Sequence, residues 1–144
     1  MSVSLPDVNV LIALIDPNHV HHNLAHGWFE SAQTHRWATC AITENGVVRI
    51  VSGPRYPNPA PSLAIAIETL LSATNHATHE FWPDEISLLD PAQFDRSRLH
   101  TSGQITDSYL LALAKHHGGK LITLDRRLVA DAVPGGLDHL ELLS

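Results

Sequence analysis

A single cysteine, Cys40, stands among 144 residues. One thiol can build neither an internal disulfide nor a multi-thiolate zinc site, and a reducing cytoplasm is the expected setting. Charge is also scarce: charged residues make up 17% against 44% hydrophobic ones, which excludes charge-driven disorder. Positive charge is scarcer still, with 9 Lys+Arg facing 15 Asp+Glu for a formal net charge of −6. That balance argues against a simple cationic nucleic-acid binder. Long apolar runs are missing as well. The opening MSVSLPDVNVLIALIDPNHVHH has no basic start and soon reaches Asp7, so neither a secretory signal nor a membrane anchor is expected. No repeat and no low-complexity tract interrupts the chain, which reads as one domain over 1–144, long enough to bury a real core. Histidine alone is abundant: protonating all 11 would reverse the sign of the net charge.

Apolar segments alternate between strand and helix character along the chain. Val3 to Leu5 reads as a strand leading to Asp7, and Val8 to Ile15 as a short helix closed by Pro17. His19 to Gln33 has Leu24, Trp28 and Phe29 at helical spacing. Trp37 to Ile42 reads as a strand, followed by a helix capped by Thr43. The stretch SGPRYPNPAP, Ser52 to Pro61, is too rich in proline to continue a helix and reads as a loop. Ser62 to Ala73 is an amphipathic helix, Ile86 to Leu89 a strand, and Pro91 to Leu99 a short helix. Thr106 to His117 is a further helix stopped by Gly118 and Gly119. Lys120 to Leu124 and Leu137 to Leu143 complete the strands. This alternation predicts an α/β fold, a three-layer α/β/α sandwich around a central, mainly parallel sheet.

Four carboxylates fall at equivalent places in that pattern. Asp7 and Asp125 end strands, while Glu44 and Asp107 open the helices that follow other segments. In a parallel sheet these positions share one edge, the edge where such folds place their sites. Four acids meeting in a half-buried pocket need a cation, and hard oxygen donors without thiols point to Mg²⁺ or Mn²⁺. Taken singly, Glu44 and Asp107 also suit a helix's first turn, and Asp125 suits a turn before Arg126 and Arg127.

The segments PDVNVLIAL, ITENGVVRI, ITDSYLLALAKHHGG and KLITLDRRL, in this order, resemble the blocks of PIN domains, and more narrowly of VapC-type toxins of bacterial toxin–antitoxin pairs. The resemblance extends over almost the whole chain. It implies one PIN-like nuclease domain over 1–144, a Mg²⁺- or Mn²⁺-dependent endoribonuclease with Asp7, Glu44, Asp107 and Asp125 as its catalytic acids. Asp7 and Asp107 would ligate the principal ion, with Asn9 and Thr106 in support. It also implies an RNA substrate and a cognate antitoxin that wraps the toxin. Pro6 departs from a regular strand directly before the first acid, since it has no N–H for the ladder.

Positive charge clusters where such a substrate would need it. Arg96, Arg98, Lys115, Lys120, Arg126 and Arg127 lie in one stretch with only Asp107 and Asp125. Arg126 and Arg127, directly after an acid, are the candidates for binding phosphate beside the site. His19, His22 and His26 have helical spacings that suit zinc, yet no further ligand set accompanies them. His116 and His117 end a helix, where positive charge is stabilised. Trp28, Trp37 and Tyr109 read as core or interface aromatics and Cys40 as a small buried residue. The apolar helices His19 to Gln33 and Ser62 to Ala73 leave surface for a homodimer. A binding module that holds RNA or protein without cutting is one alternative. A receiver-type signalling domain is the other, though the adjacent N-terminal acids it needs are reduced here to the single acid of PDVN.

Overall fold

Short strands pair here in parallel because both faces of the resulting sheet are covered by helices. The computed structural model describes residues 2–31 and 36–144. Its five strands are β1 (Val3–Pro6), β2 (Arg36–Cys40), β3 (His79–Trp82), β4 (Lys120–Thr123) and β5 (Leu140–Leu142). They form one sheet in the order β3-β2-β1-β4-β5, and every pairing is parallel. The helices are α1 (Val8–Ile15), α2 (His22–Ser31), α3 (Ala41–Val51), α4 (Leu63–Thr74) and α5 (Ile105–His116). α5 covers one face: every residue from Ser108 to Ala114 is buried, packed in a cluster with Leu5, Cys40, Trp82 and Leu121. α1, α3 and α4 supply the second cluster, where Leu11, Val47 and Leu70 meet Trp37.

The chain travels from β1 to β2 and β3 on one side, then returns past β1 to β4 and β5 on the other. The crevice at the carboxyl ends of β1 and β4 is therefore the topological switch point, where ligands bind in open parallel sheets. Pro6 lies inside β1, contrary to the expectation that the strand stops at Leu5. It pairs with Ile122, whereas the pairing of β1 with β2 ends at Ser4. The Asp7 N–H donates to Ile122 O at 2.9 Å, so by alternation the Pro6 nitrogen faces β2, where no hydrogen is required of it.

Several boundaries differ from the sequence expectations for identifiable reasons. The strand expected at Ile86 to Leu89 is irregular, and the strand on that side is His79–Trp82. Ile86 and Leu88 instead pack on the α5 cluster from a loop. Only the single turn Arg96–Arg98 forms within the helix expected over Pro91 to Leu99. Gly136–His139 is a turn of 3₁₀ helix before β5, which shortens the last strand. α2 begins at His22 rather than His19, and the expected end at Gln33 lies outside the described residues. α3 begins earlier than expected, at Ala41 after Cys40, and Thr43 is its third residue. The Thr43 hydroxyl oxygen accepts the Cys40 N–H at 3.0 Å. The proline-rich loop is pinned to the end of α1, where the Tyr56 hydroxyl and the Asn58 amide both donate to Asp16 Oδ2.

Candidate active site

Asp7 emerges from β1 directly into the N-cap of α1, because its extended backbone turns the carboxylate onto the first free amides of the helix. Its Oδ1 accepts the Val10 N–H at 2.9 Å and its Oδ2 accepts the Thr123 hydroxyl at 2.6 Å. The residue is only 5% exposed. Burial pushes its carboxyl up to about 6 despite these two hydrogen bonds, and the charges of Asp107 and Asp125 add to the rise. Asp107 stands in the first turn of α5, half-buried, and is likewise raised by burial and then by Asp125. Asp125 follows β4. Its N–H donates to Thr123 Oγ1 at 3.0 Å, and its Oδ1 accepts the Arg127 N–H at 2.8 Å.

Asp7, Asp107 and Asp125 thus meet at the β1–β4 crevice, close enough to perturb one another. A cavity of about 440 Å³ opens onto Asp7 and Asp107, with Asn9 and Thr106 in its lining. Glu44 faces elsewhere. Its Oε2 accepts the Thr39 hydroxyl at 2.6 Å, and Thr39 Oγ1 lies 2.8 Å from His79 Nε2. A hydroxyl has one proton, so with Thr39 donating to Glu44, His79 must present Nε2–H to it. Glu44 lines the larger cavity between α3 and α4, of about 650 Å³, with Leu63, Ile67 and Leu71. Asn45 and Arg49 line both cavities and join them.

Two contributors, Thr123 and Thr39, escape a reading of the sequence, and a third, Arg49, shows there only as part of a weaker basic stretch with Arg36 and Arg55. Thr123 looks like one more residue of an apolar strand, and only its place two residues before Asp125 hints at a polar role. Arg49 also lines the cavity that holds Asp7 and Asp107; Thr39 has no signal beyond its place before Glu44. Arg126 and Arg127 are exposed beside Asp125. Among the described residues, no ion pair occupies Arg49, Arg126 or Arg127. Residues around His19, His22 and His26 form no metal-type cluster among those described, and His22 Nδ1 is committed to Ala13 O at 2.8 Å.

The donor set fits a hard divalent cation. Carboxylate oxygens dominate it, and Asp7, buried with its proton affinity raised, gains most from a nearby positive charge. What such a site can do is hold an ion beside a phosphodiester, with free guanidinium groups at its rim.

The family model of the PIN domain matches residues 4–133. Ribonuclease VapC44 of Mycobacterium tuberculosis (strain ATCC 25618 / H37Rv) is 50% identical over 141 residues, covering 97% of this chain and 99% of the relative. Ribonuclease VapC39 of the same strain is 45% identical over 134 residues, covering 93% and 96%. The fold is shared with VapBC2 from Rickettsia felis, solved bound to a DNA fragment from their promoter. That likeness has a TM-score of 0.64 at 13% identity and covers 99% of both chains. An acid cluster at the switch point of a five-stranded parallel sheet, with these relatives over nearly its whole length, makes this chain a member of the PIN-domain family and of its VapC ribonucleases.

Proposed function

We propose that the chain is a metal-dependent endoribonuclease, the toxin of a toxin–antitoxin pair, acting in the cytoplasm and neutralised by a cognate antitoxin. The observation that carries this reading is the buried Asp7, pushed up to about 6 beside Asp107 and Asp125. Such a cluster is costly without a cation, and is kept where a cation is used.

Asp7 and Asp107 would hold Mg²⁺ or Mn²⁺, and Asp125 would complete the shell from the β4 side. When bound, such an ion lowers the pKa of water and offsets charge on the phosphate and the leaving oxygen. Thr123 keeps the Asp7 carboxylate oriented through its hydroxyl. Asn9 and Thr106, at the cavity rim, offer polar groups to the ribose–phosphate chain, while Arg49, Arg126 and Arg127 draw phosphates toward an otherwise acidic protein. Glu44 completes the acid set by leaving Thr39 and turning toward the Asn45–Arg49 side, where it can orient the attacking water. The apolar side chains of Leu63, Ile65, Ile67 and Leu71 are exposed along α4, a surface suited to the antitoxin or to a second copy in a homodimer.

The test is RNA cleavage by purified protein with Mg²⁺ or Mn²⁺, before and after EDTA, in wild type and in folded Asp7→Asn and Asp107→Asn. Cleavage should require the metal and both acids. RNA binding without cleavage under every condition would leave a binding module instead. In cells, expressing the chain alone should arrest growth, and co-expressing its antitoxin should restore it.

A further inference from the structure

Away from the acid cluster, a second constellation lies at the opposite end of α5. Glu85, His116 and His117 each point a ligand atom into one space, and these atoms all lie within 4.8 Å of one another. Glu85 Oε2 is 3.7 Å from His116 Nε2, and Glu85 Oε1 is 3.1 Å from His117 Nε2. Ligands around a tetrahedral ion with bonds near 2.0–2.1 Å stand about 3.3 Å apart, and each histidine lies near that distance from one of the two Glu85 oxygens.

The ring of His117 is fixed in place. It lies flat on Trp82, with centroids 4.1 Å apart and planes at 9°. Trp82 is buried, and its indole N–H donates to Glu80, which is paired with Arg36. His116 is set nearly perpendicular to His117, with centroids 5.2 Å apart, and its ligand nitrogen stays within 4.8 Å of the other two ligand atoms. The His117 Nε2 is shielded from solvent and has no hydrogen-bond partner; the nearby Glu85 oxygen is off the line of a ring N–H. A shielded nitrogen against a carboxylate oxygen is unfavourable unless positive charge lies between them.

We propose that Glu85, His116 and His117 form a binding site for a borderline transition-metal ion of the Zn²⁺ class. Two imidazole nitrogens and one carboxylate select Zn²⁺, Co²⁺ or Ni²⁺ over Mg²⁺, which prefers oxygen donors and near-octahedral geometry. Asp107 and His116 occupy opposite ends of α5, about 14 Å apart along the axis at 1.5 Å per residue, so this site and the acid cluster do not share an ion. Its role is a clip. Glu85 belongs to the irregular segment after β3, and the ion ties that segment to the end of α5, where the chain turns into β4.

The test titrates EDTA-treated, desalted full-length protein with Co²⁺ in the presence of excess Mg²⁺, reading visible d–d absorption, and follows the melting temperature with added Zn²⁺. Wild type should take up Co²⁺ at micromolar concentration with a spectrum of nitrogen ligation, and Zn²⁺ should raise its melting temperature. Glu85→Gln and His116→Ala, each compared with its own metal-free melt, should weaken uptake at least about tenfold and remove the Zn²⁺ shift. Asp107→Asn should leave the spectrum unchanged. Because His19, His21, His22 and His26 crowd another region, the loss in Glu85→Gln carries the assignment rather than uptake alone. No uptake at micromolar metal, or uptake unchanged in both variants, would overturn the site and leave Glu85 as the ion-pair partner of protonated histidines.

Discussion

The Thr123 hydroxyl donates to Asp7 Oδ2 at 2.6 Å across a sequence separation of 116 residues, while its oxygen accepts the Asp125 N–H at 3.0 Å. One side chain therefore holds the carboxylate of Asp7, after β1, and the backbone of Asp125, after β4. It also lowers the proton affinity of Asp7 against the larger effect of burial. Thr123→Val keeps the shape and removes the hydroxyl. Stability should fall by about 1–2 kcal/mol in urea denaturation, and the Mg²⁺ concentration for half-maximal cleavage should rise about tenfold or more. Thr123→Ser should recover most of both losses.

Asp7 itself should reduce the stability of the metal-free protein. Its carboxyl titrates near 6 when folded, against 3.8 ordinarily. Between those values the folded state binds the extra proton, so stability falls as pH rises through about 6, and the deficit is complete above it. A shift of about two units corresponds to a deficit on the order of 3 kcal/mol. In EDTA near pH 8, Asp7→Asn should therefore be more stable than wild type by about 1–3 kcal/mol, with the gap closing toward about pH 4. The same variant should lose RNA cleavage. Opposite signs on stability and activity separate a group kept for function from one kept for folding. Equal stability of the two proteins at both pH values would contradict the burial argument.

The positions of Asp7, Asp107 and Asp125 were legible because strand ends and helix starts share an edge in any parallel sheet, and an acid in an apolar context marks that edge. Glu44 was legible as a position but not as an orientation, since nothing in a linear string says that the Thr39 hydroxyl will take its carboxylate. β3 was missed for a different reason. HEFW is short and half polar, and its one deeply buried residue is Trp82. ISLL, by contrast, has the composition of a strand, yet Leu89 is 89% exposed while Ile86 and Leu88 pack as a loop. The histidine pair at the end of α5 showed as a helix-end feature only, because its partner Glu85 comes from a distant segment.

Arg49 makes no ion pair among the described residues and lines the cavity that holds Asp7 and Asp107. A phosphate-binding guanidinium contributes to substrate affinity more than to the chemical step. Arg49→Gln should raise the KM for RNA by about three- to tenfold with kcat little changed, and should reduce the salt dependence of binding by about one ion. Arg126→Gln and Arg127→Gln should act in the same direction. A large fall in kcat for Arg49→Gln at saturating RNA would assign it to the chemical step.

The shift of the Asp7 carboxyl traces to burial, Thr123, Val10, Asp107 and Asp125, with no part for Glu44. Removal of Glu44 should therefore disturb metal affinity less than removal of an acid in the crevice. Glu44→Gln should lower cleavage while shifting the Mg²⁺ dependence less than Asp107→Asn does, in parallel metal titrations. Thr39→Val frees the carboxylate from its hydroxyl donor, and a change in cleavage rate without a change in metal affinity would mark Thr39 as the residue that parks Glu44.

The turn from α5 into β4 supports a last prediction, drawn from three glycines in different settings. A Cβ on Gly119 would lie 2.1 Å from Val3 O and 3.3 Å from the tip of Trp82. Val3 is the first residue of central β1 and cannot retreat without disturbing its pairing, so Gly119→Ala should cost about 3 kcal/mol or more. Gly118 has open space around it but a φ of +68°, and Gly118→Ala should cost only about 1 kcal/mol. Gly27, exposed within α2, has nothing within 4 Å; Gly27→Ala should be neutral or stabilising by up to about 1 kcal/mol. Urea midpoints of the three variants, measured side by side, check the order. If Gly119→Ala were no worse than Gly118→Ala, the turn would not press on β1 as closely as the structure places it, and the backbone that seats Asp7 would have slack to spare.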